Sequence, residues 1–347
     1  MVIAYKDEQV KDIMNTYFHH PIWDMKTIDS VPDVPLDIQL EFINRCNLKC
    51  DYCNYPYNTR KKSLLDWKTL KSVVDQSADI GVCYFTICGI GEASLHPDLF
   101  RFLRYVRDTQ VEEKGMRVLP FMPTILITNG MWKSSQVQEM IDNPPDVLSL
   151  SLGGLTDEEI VKHRVGINLN HFWESVERVY KERHVVRPID GGLSPTIHIS
   201  TNIYPSEFST RMKDVEIFRR KWFDISDIIV TKAIMLTPQF KDYSKFVDDD
   251  KKMGYVNITK TGYERTLPCF ETSRRLSVNS DGNAWCGHNL SETFGQFLGN
   301  IKEQSLYDIW NGKAMTEFRN KVRTGVFERP QCKECGEELR TSKKNTL

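Results

Sequence analysis

The stretch RCNLKCDYCNYP, residues 45–56, carries three cysteines close together, at Cys46, Cys50 and Cys53. The spacing C-x3-C-x2-C places three thiolates on one loop, near enough to bind neighbouring corners of one iron–sulfur cube. A [4Fe–4S] cube has four irons, so three cysteines leave one iron open to a small chelating ligand. The alternative is a zinc site with a distant fourth ligand, although structural zinc usually pairs its cysteines as C-x2-C.

Composition limits the class of protein in which this loop lies. The chain has 347 residues, of which 40% are hydrophobic and 27% charged, as in an ordinary globular protein. Lys plus Arg number 46 against 47 for Asp plus Glu, so no overall field favours nucleic acid or an anionic membrane. The nine cysteines and the absence of an export signal argue against a disulfide framework and for metal ligation or catalysis by reduced thiols. We therefore expect a cytoplasmic protein with a small-molecule partner.

Strand-like segments alternate with amphipathic helical patterns from about residue 36 to residue 232. This alternation predicts a parallel sheet with right-handed crossovers, either an open sheet or a barrel. The predicted strands are residues 36–44, 82–88, 123–129, 146–152, 195–202 and 226–232. Helical periodicity appears at Leu70, Val73 and Val74; at Leu99, Phe102, Leu103 and Val106; at Phe172, Val176, Val179 and Tyr180; and at Met212, Val215, Phe218 and Trp222.

Two of these strands have one polar face. Thr196, His198, Ser200 and Asn202 alternate with Ile197, Ile199 and Thr201. In the same way, Asp37, Gln39 and Glu41 alternate with Ile38 and Leu40. A strand covered by helices on both faces is expected to be a continuous apolar run. The pattern therefore predicts a partial barrel with a polar lumen, whose substrate binds at the C-terminal ends of the strands.

The pattern changes after residue 236. Residues 237–262 are charged and rich in turn formers and are expected to form a linker. A smaller module is predicted over residues 263–347, with a hairpin at LSVNSDGNAWC, residues 276–286. Its cysteines, Cys269, Cys286, Cys332 and Cys335, have the spacing C-x16-C-x45-C-x2-C, which fits a closed iron–sulfur site or, alternatively, zinc.

The three-cysteine loop, including Tyr52 before the last cysteine, resembles the signature of the radical S-adenosylmethionine superfamily. The resemblance covers most of the chain and implies a partial (βα)6 TIM-like barrel over residues 36–236, preceded by an N-terminal extension over residues 1–35. It also implies a [4Fe–4S] cluster whose open iron holds S-adenosylmethionine. One electron from an external reductant such as flavodoxin or ferredoxin then yields a 5'-deoxyadenosyl radical.

Further positions match the family and imply contacts with S-adenosylmethionine. The stretch GIGE at 89–92 resembles the family's Gly-Gly-Glu motif, although Ile90 interrupts the paired glycines. A simple strand-to-helix turn is the alternative for these glycines. The implied cofactor contacts are Tyr52, Gly89, Gly91, Glu92, Asn129, Ser149, Ser151 and Arg164.

The C-terminal cysteines resemble the auxiliary-cluster extensions called SPASM and, in the shorter form, Twitch. No cysteine follows Cys335, so the shorter form with a single auxiliary [4Fe–4S] cluster is the better match. Together with the first cluster it brings the expected number of clusters to two. The arrangement is similar to that of dehydrogenases of the 2-deoxy-scyllo-inosamine type.

The resemblance favours an oxidoreductase that acts on a small polar metabolite of the sugar or cyclitol type, with the auxiliary cluster as electron acceptor. The alternatives are a peptide or protein maturase, a redox-neutral epimerase and a non-enzymatic iron–sulfur or zinc module. The candidate bases, which the sequence does not rank, are His198, Glu41, His288 and Asp281.

Overall fold

A computed structural model describes residues 2–5, 31–53, 55–109, 122–186, 192–203, 210–233, 269–286 and 296–326. Its strands, β1 to β14, are Val2–Tyr5, Asp37–Leu40, Lys49–Cys50, Tyr84–Ile87, Thr124–Thr128, Val147–Leu152, Arg164–Val165, Val185–Val186, Leu193–Ser194, Thr196–Ile203, Ile228–Ala233, Arg275–Val278, Asn283–Cys286 and Phe297–Asn300. Its α-helices, α1 to α8, are Trp67–Ile80, Leu99–Thr109, Ser134–Asp142, Asp157–His163, Leu169–Glu182, Met212–Trp222, Leu306–Asn311 and Lys313–Arg323.

The main sheet contains the six predicted strands as β2, β4, β5, β6, β10 and β11. They lie side by side in chain order, and each pairs with the next in parallel. Parallel neighbours joined through helices are the repeat unit of a barrel. The predicted α/β fold, a partial (βα)6 barrel, is therefore confirmed.

The apolar core lies between this sheet and its helices. Ile38 and Leu40 of β2 and Ile197 and Ile199 of β10 are fully buried members of it. Burial of side chains of this size stabilises the fold by roughly 1.5–3 kcal/mol each. The opposite face of the same strands carries polar side chains, as the alternation in the sequence predicts.

Helix α1 illustrates how local sequence sets the ends of an element. The Asp66 side chain accepts a hydrogen bond from the Thr69 backbone N–H, which satisfies one of the free donors at the helix start. Gly81 ends the helix in the left-handed conformation at φ 83°, where a side chain would add strain. Leu70, Val73 and Val74 form the buried face, as predicted.

The hairpin of the C-terminal module continues the barrel sheet. Strand β12 pairs in parallel with β2, and β13 and β14 follow in antiparallel order. Gly282 in its turn has φ 96°, which confirms the predicted Asp-Gly turn. The sequence suggests a module set apart by a linker, but the described part of the module is joined to β2 by backbone hydrogen bonds.

Several elements lie beyond the sequence-based prediction. Strand β1, from the N-terminal extension, pairs antiparallel with β11 at the sheet edge. Helices α3, α4, α7 and α8 were not predicted. The predicted linker, residues 237–262, lies outside the described residues. Across the described ranges, no helix is long and apolar enough to cross a membrane.

Candidate active site

The three-cysteine loop lies at the C-terminal end of β2. That strand ends at Leu40, and Cys46 follows six residues later. Strand β3 of the loop pairs antiparallel with β7, so that Cys50 lies opposite Arg164. This pairing holds the loop against the segment that follows β6.

Nitrogen donors approach two of the loop sulfurs. The Leu48 backbone N–H lies 3.4 Å from Cys46 Sγ, and the Tyr55 N–H lies 3.3 Å from Cys53 Sγ. Asn129 Nδ2 is a further donor, 3.8 Å from Cys46 Sγ. Such donors stabilise negative charge on sulfur and are one means by which a protein tunes an iron–sulfur cluster.

The protonation of the free loop bears on how it takes up iron. Burial raises the pKa of the Cys46 thiol to about 11. Because the thiolate is the ligand, iron binding must displace this proton. Among the residues that the structure describes, no three His, Cys, Asp or Glu side chains are close enough to hold a single metal ion. The soft donor set of three half-buried thiols fits a cube, in which each thiolate binds a different iron.

Arg164 and Tyr52 supply buried polar atoms beside this loop. Arg164 is only 2% exposed, yet its Nε and Nη1 have no hydrogen-bond partner among the residues that the structure describes. The Tyr52 hydroxyl is also buried, and a Cβ at Gly153 would lie 2.2 Å from the Tyr52 ring. A buried unpaired guanidinium is costly, and a carboxylate is its natural partner. The arrangement therefore fits the carboxylate end of S-adenosylmethionine.

The GIGE loop, residues 89–92, packs against the backbone that leads to Cys46. A Cβ at Gly91 would lie 1.9 Å from the Ile43 carbonyl oxygen, and one at Gly89 would lie 2.4 Å from Glu41 Cγ. The Glu92 N–H donates to the Arg45 carbonyl at 2.7 Å. Both glycines therefore permit a close approach of chain segments, which no larger residue allows.

Glu92 joins the GIGE loop to the end of β5. Its Oε1 accepts from the Ser94 N–H at 3.0 Å and from Thr128 Oγ1 at 2.6 Å, and its Oε2 accepts from the Asn129 N–H at 2.8 Å. The side chain is buried, and charge-assisted bonds of this kind are strong. Glu92 therefore fixes the end of β5 next to the cysteine loop.

Asn129 completes this connection from β5. Its Nδ2 donates to Asn47 Oδ1 at 2.7 Å, and its Oδ1 accepts from the Met131 N–H at 2.9 Å. Asn47 lies beside Cys46, but no local signal in the sequence marks it as a partner of Asn129. The structure thus brings Asn129, Glu92 and the cysteine loop together.

The polar face of the barrel contains the two predicted serines. Ser149 Oγ lies 3.0 Å from His198 Nδ1, and the two residues are register partners on β6 and β10. Ser151 is half-buried and pairs in register with Ser200. His198 is thus held on the polar face as a candidate base.

The other candidate bases differ in their surroundings. Glu41 is 1% exposed and accepts hydrogen bonds from Arg60, from the Ile90 N–H and from Ser280. These bonds occupy both carboxylate oxygens, so its surroundings suit a positioning role better than that of a base. Asp281 is exposed in the hairpin turn, and His288 lies outside the described residues.

The described cysteines of the C-terminal module lie at the other end of the barrel. Cys286, the last residue of β13, is opposite Leu276 near the start of β12, and Cys269 precedes β12 by six residues. Since β12 runs parallel to β2, both cysteines lie towards the N-terminal ends of the barrel strands. Cys332 and Cys335 lie outside the described residues.

Comparison with family models identifies both parts of the chain. Residues 40–195 match the radical SAM superfamily, and residues 269–336 match SPASM, an iron–sulfur cluster-binding domain. The chain thus contains a radical SAM domain and a SPASM domain. Radical SAM domains bind S-adenosylmethionine and a [4Fe–4S] cluster, and SPASM domains bind auxiliary iron–sulfur clusters, so the predicted classes of cofactor are confirmed.

One curated protein and two solved structures illustrate the range of proteins to which this chain is similar. The tungsten-containing aldehyde ferredoxin oxidoreductase cofactor-modifying protein of Pyrococcus furiosus is 23% identical over 86% of each chain. The structure of anSMEcpe with bound AdoMet and the Cp18Cys peptide is 18% identical, covers 88% of this chain and 87% of its own, and has a TM-score of 0.56. BtrN in complex with AdoMet and 2-DOIA is 16% identical over 84% of this chain and 88% of its own, with a TM-score of 0.47. The likeness to anSMEcpe concerns the fold alone.

Proposed function

We propose that the chain is a radical SAM oxidoreductase that oxidises a small polar metabolite of the sugar or cyclitol type in the barrel lumen. S-adenosylmethionine, reductively cleaved at the open iron, would supply a 5'-deoxyadenosyl radical that abstracts a hydrogen atom from the substrate. The remaining steps depend on groups that this chain provides inside the barrel.

The supporting observation is the polar lumen between two sets of cysteines. Cys46, Cys50 and Cys53 follow the C-terminal end of β2, whereas Cys269 and Cys286 lie towards the N-terminal ends of the strands. Polar side chains share the lumen face between them, namely Gln39, Thr86, Ser149, His198 and Ser200. A polyol would find hydrogen-bond partners on this face.

Oxidation of an alcohol to a ketone removes a hydrogen atom, a proton and an electron from the substrate, and each needs an acceptor. The carbon-bound hydrogen leaves as an atom to the radical, and the hydroxyl proton passes to a base, for which His198 is our candidate. An auxiliary cluster, for which Cys269 and Cys286 are proposed ligands, would accept the remaining electron, and the substrate would become a ketone. The product has lost two hydrogens.

The test is anaerobic turnover of the reconstituted protein with a panel of polyols and amino-cyclitols, followed by mass spectrometry. The expected product is about two mass units lighter than its substrate, with one equivalent of 5'-deoxyadenosine formed per turnover. Substrate deuterated at the oxidised carbon should transfer deuterium to 5'-deoxyadenosine. A product of unchanged mass contradicts oxidation and supports an epimerase.

Modification of a peptide or of a protein's cofactor is the second candidate. It is favoured by the name of the Pyrococcus relative, a cofactor-modifying protein that aligns with 86% of this chain, and by the peptide-bound anSMEcpe structure. The same assay with short peptides separates the two candidates. A mass change on a peptide, with none on any polyol, would replace the leading proposal.

A further inference from the structure

The Glu41 carboxylate lies at a junction of four chain segments. Its Oε1 accepts from Arg60 Nη2 at 2.7 Å and from the Ile90 N–H at 3.0 Å. Its Oε2 accepts from Arg60 Nη1 at 2.7 Å, from the Ser280 N–H at 3.0 Å and from Ser280 Oγ at 2.9 Å. The segments are the end of β2, the chain after the cysteine loop, the GIGE loop and the hairpin turn of the C-terminal module.

The hairpin turn is tied to this junction by a second contact. Ser280 is fully buried, and its Oγ lies 2.7 Å from Ser63 Oγ. The Glu41 N–H also donates to the Val278 carbonyl at 2.8 Å. The position of the turn therefore fixes the Glu41 side chain from two directions.

The GIGE loop has little room to move independently of Glu41. The Glu41 Cγ occupies the space where a side chain on residue 89 would lie, and the Ile90 N–H is bonded to the carboxylate. Two residues further on, the Glu92 carboxylate accepts the Asn129 N–H. A shift of Glu41 would thus reach the part of the loop that packs against the cysteine loop.

We propose that Glu41 is a positioning residue that couples docking of the C-terminal hairpin to the GIGE loop, so that affinity for S-adenosylmethionine depends on the auxiliary module. Hydrogen bonds in a buried network strengthen one another, so loss of the Ser280 contacts is expected to weaken the contact between Glu41 and the Ile90 N–H. The proposal concerns cofactor binding and is independent of which substrate the enzyme oxidises.

The test measures S-adenosylmethionine binding by equilibrium dialysis, without substrate, on anaerobically reconstituted protein. Glu41→Gln keeps the shape of the side chain but replaces one acceptor oxygen with a donor that faces donors. We expect affinity to fall about tenfold with iron content unchanged. The electron paramagnetic resonance shift that S-adenosylmethionine causes in the reduced cluster should require correspondingly more ligand.

Asp227→Asn is the matched control. Asp227 is also a buried carboxylate that accepts two bonds from an arginine, Arg183, and one from a backbone N–H, that of Ile197, but it lies before β11 at the other end of the barrel. A loss of general stability affects both variants, whereas the proposed coupling weakens binding only in Glu41→Gln. Equal weakening in both variants, or wild-type affinity in Glu41→Gln, overturns the proposal.

Ser280→Ala tests the coupling from the module side and serves even where Glu41→Gln does not fold. The change removes one donor in the hairpin turn and touches no predicted cofactor contact. We expect about threefold weaker binding and faster hydrogen exchange at the Ile90 amide. Unchanged exchange over residues 89–92 contradicts the proposal.

Discussion

The environment of Arg164 indicates what kind of ligand binds beside the cysteine loop. Its guanidinium is buried on a strand that pairs with Cys50, and within the described part of the chain its Nε and Nη1 have no hydrogen-bond partner. In the sequence, KHRVG is equally consistent with a solvated surface charge. Burial at 2% exposure excludes that alternative and leaves an anionic partner as the role that best fits this arginine.

We predict that Arg164→Gln weakens binding of S-adenosylmethionine by about 2 kcal/mol, or roughly 30-fold, because a charge-assisted hydrogen bond is lost. Equilibrium dialysis with the reconstituted protein measures this affinity. Arg178→Gln is the control, since Arg178 is an exposed residue of α5 that pairs with Glu182. Wild-type affinity in Arg164→Gln means that Arg164 does not bind the cofactor.

At the scale of elements, the sequence predicts the strands better than the helices. All six barrel strands lie within or next to their predicted ranges, because alternation with buried apolar positions is a strong local pattern. Four helices, α3, α4, α7 and α8, were not predicted. In α3, Val137, Met140 and Ile141 have the same helical spacing as Leu70, Val73 and Val74 of α1, so this signal was present in the sequence and was missed. Helix α4 gives no such signal, because it is seven residues long with one buried residue.

Helix α1 gives a prediction about stability and pH. Asp66→Ala should lower the free energy of unfolding by about 1 kcal/mol at pH 7, because the N-cap bond to Thr69 is lost. That bond holds the pKa of Asp66 below its usual value. A depressed pKa stabilises the fold above the unfolded value of about 3.9, and this contribution is lost as the pH falls through the folded value.

The measurement is urea unfolding followed by far-ultraviolet circular dichroism. The difference between wild type and Asp66→Ala should narrow as the pH falls from about 5 towards 3. Asp79→Ala, in the last turn of the same helix, is the control and should be neutral or slightly stabilising, because an acid there opposes the helix dipole. A difference that does not vary with pH contradicts the role of the Asp66 carboxylate.

For the whole molecule, the prediction concerns the number of clusters. Reconstituted protein should hold about eight irons and eight sulfides per chain, which corresponds to two [4Fe–4S] clusters. Combined replacement of Cys46, Cys50 and Cys53 by Ala should halve both values. Cys269→Ala should lower only the iron and sulfide that belong to the auxiliary cluster. Iron and sulfide analysis with Mössbauer spectroscopy measures this, and Cys83→Ala is the control.

Full iron content in the triple variant contradicts the assignment of the first site. About four irons per chain in the wild type contradicts an auxiliary [4Fe–4S] cluster. Zinc in place of the missing iron supports a zinc site at the C-terminal cysteines, which their spacing alone also allows.

The sequence by itself determined the radical SAM signature, the parallel barrel strands and the hairpin turn. All three features are encoded by the spacing and periodicity of residue types within short stretches of the chain. Only the tertiary structure decided that Glu41 meets Arg60, Ile90 and Ser280, and that Cys269 and Cys286 lie at the opposite end of the barrel from Cys46. Such contacts join residues up to 239 positions apart, and they follow from strand order and register, which no local pattern specifies.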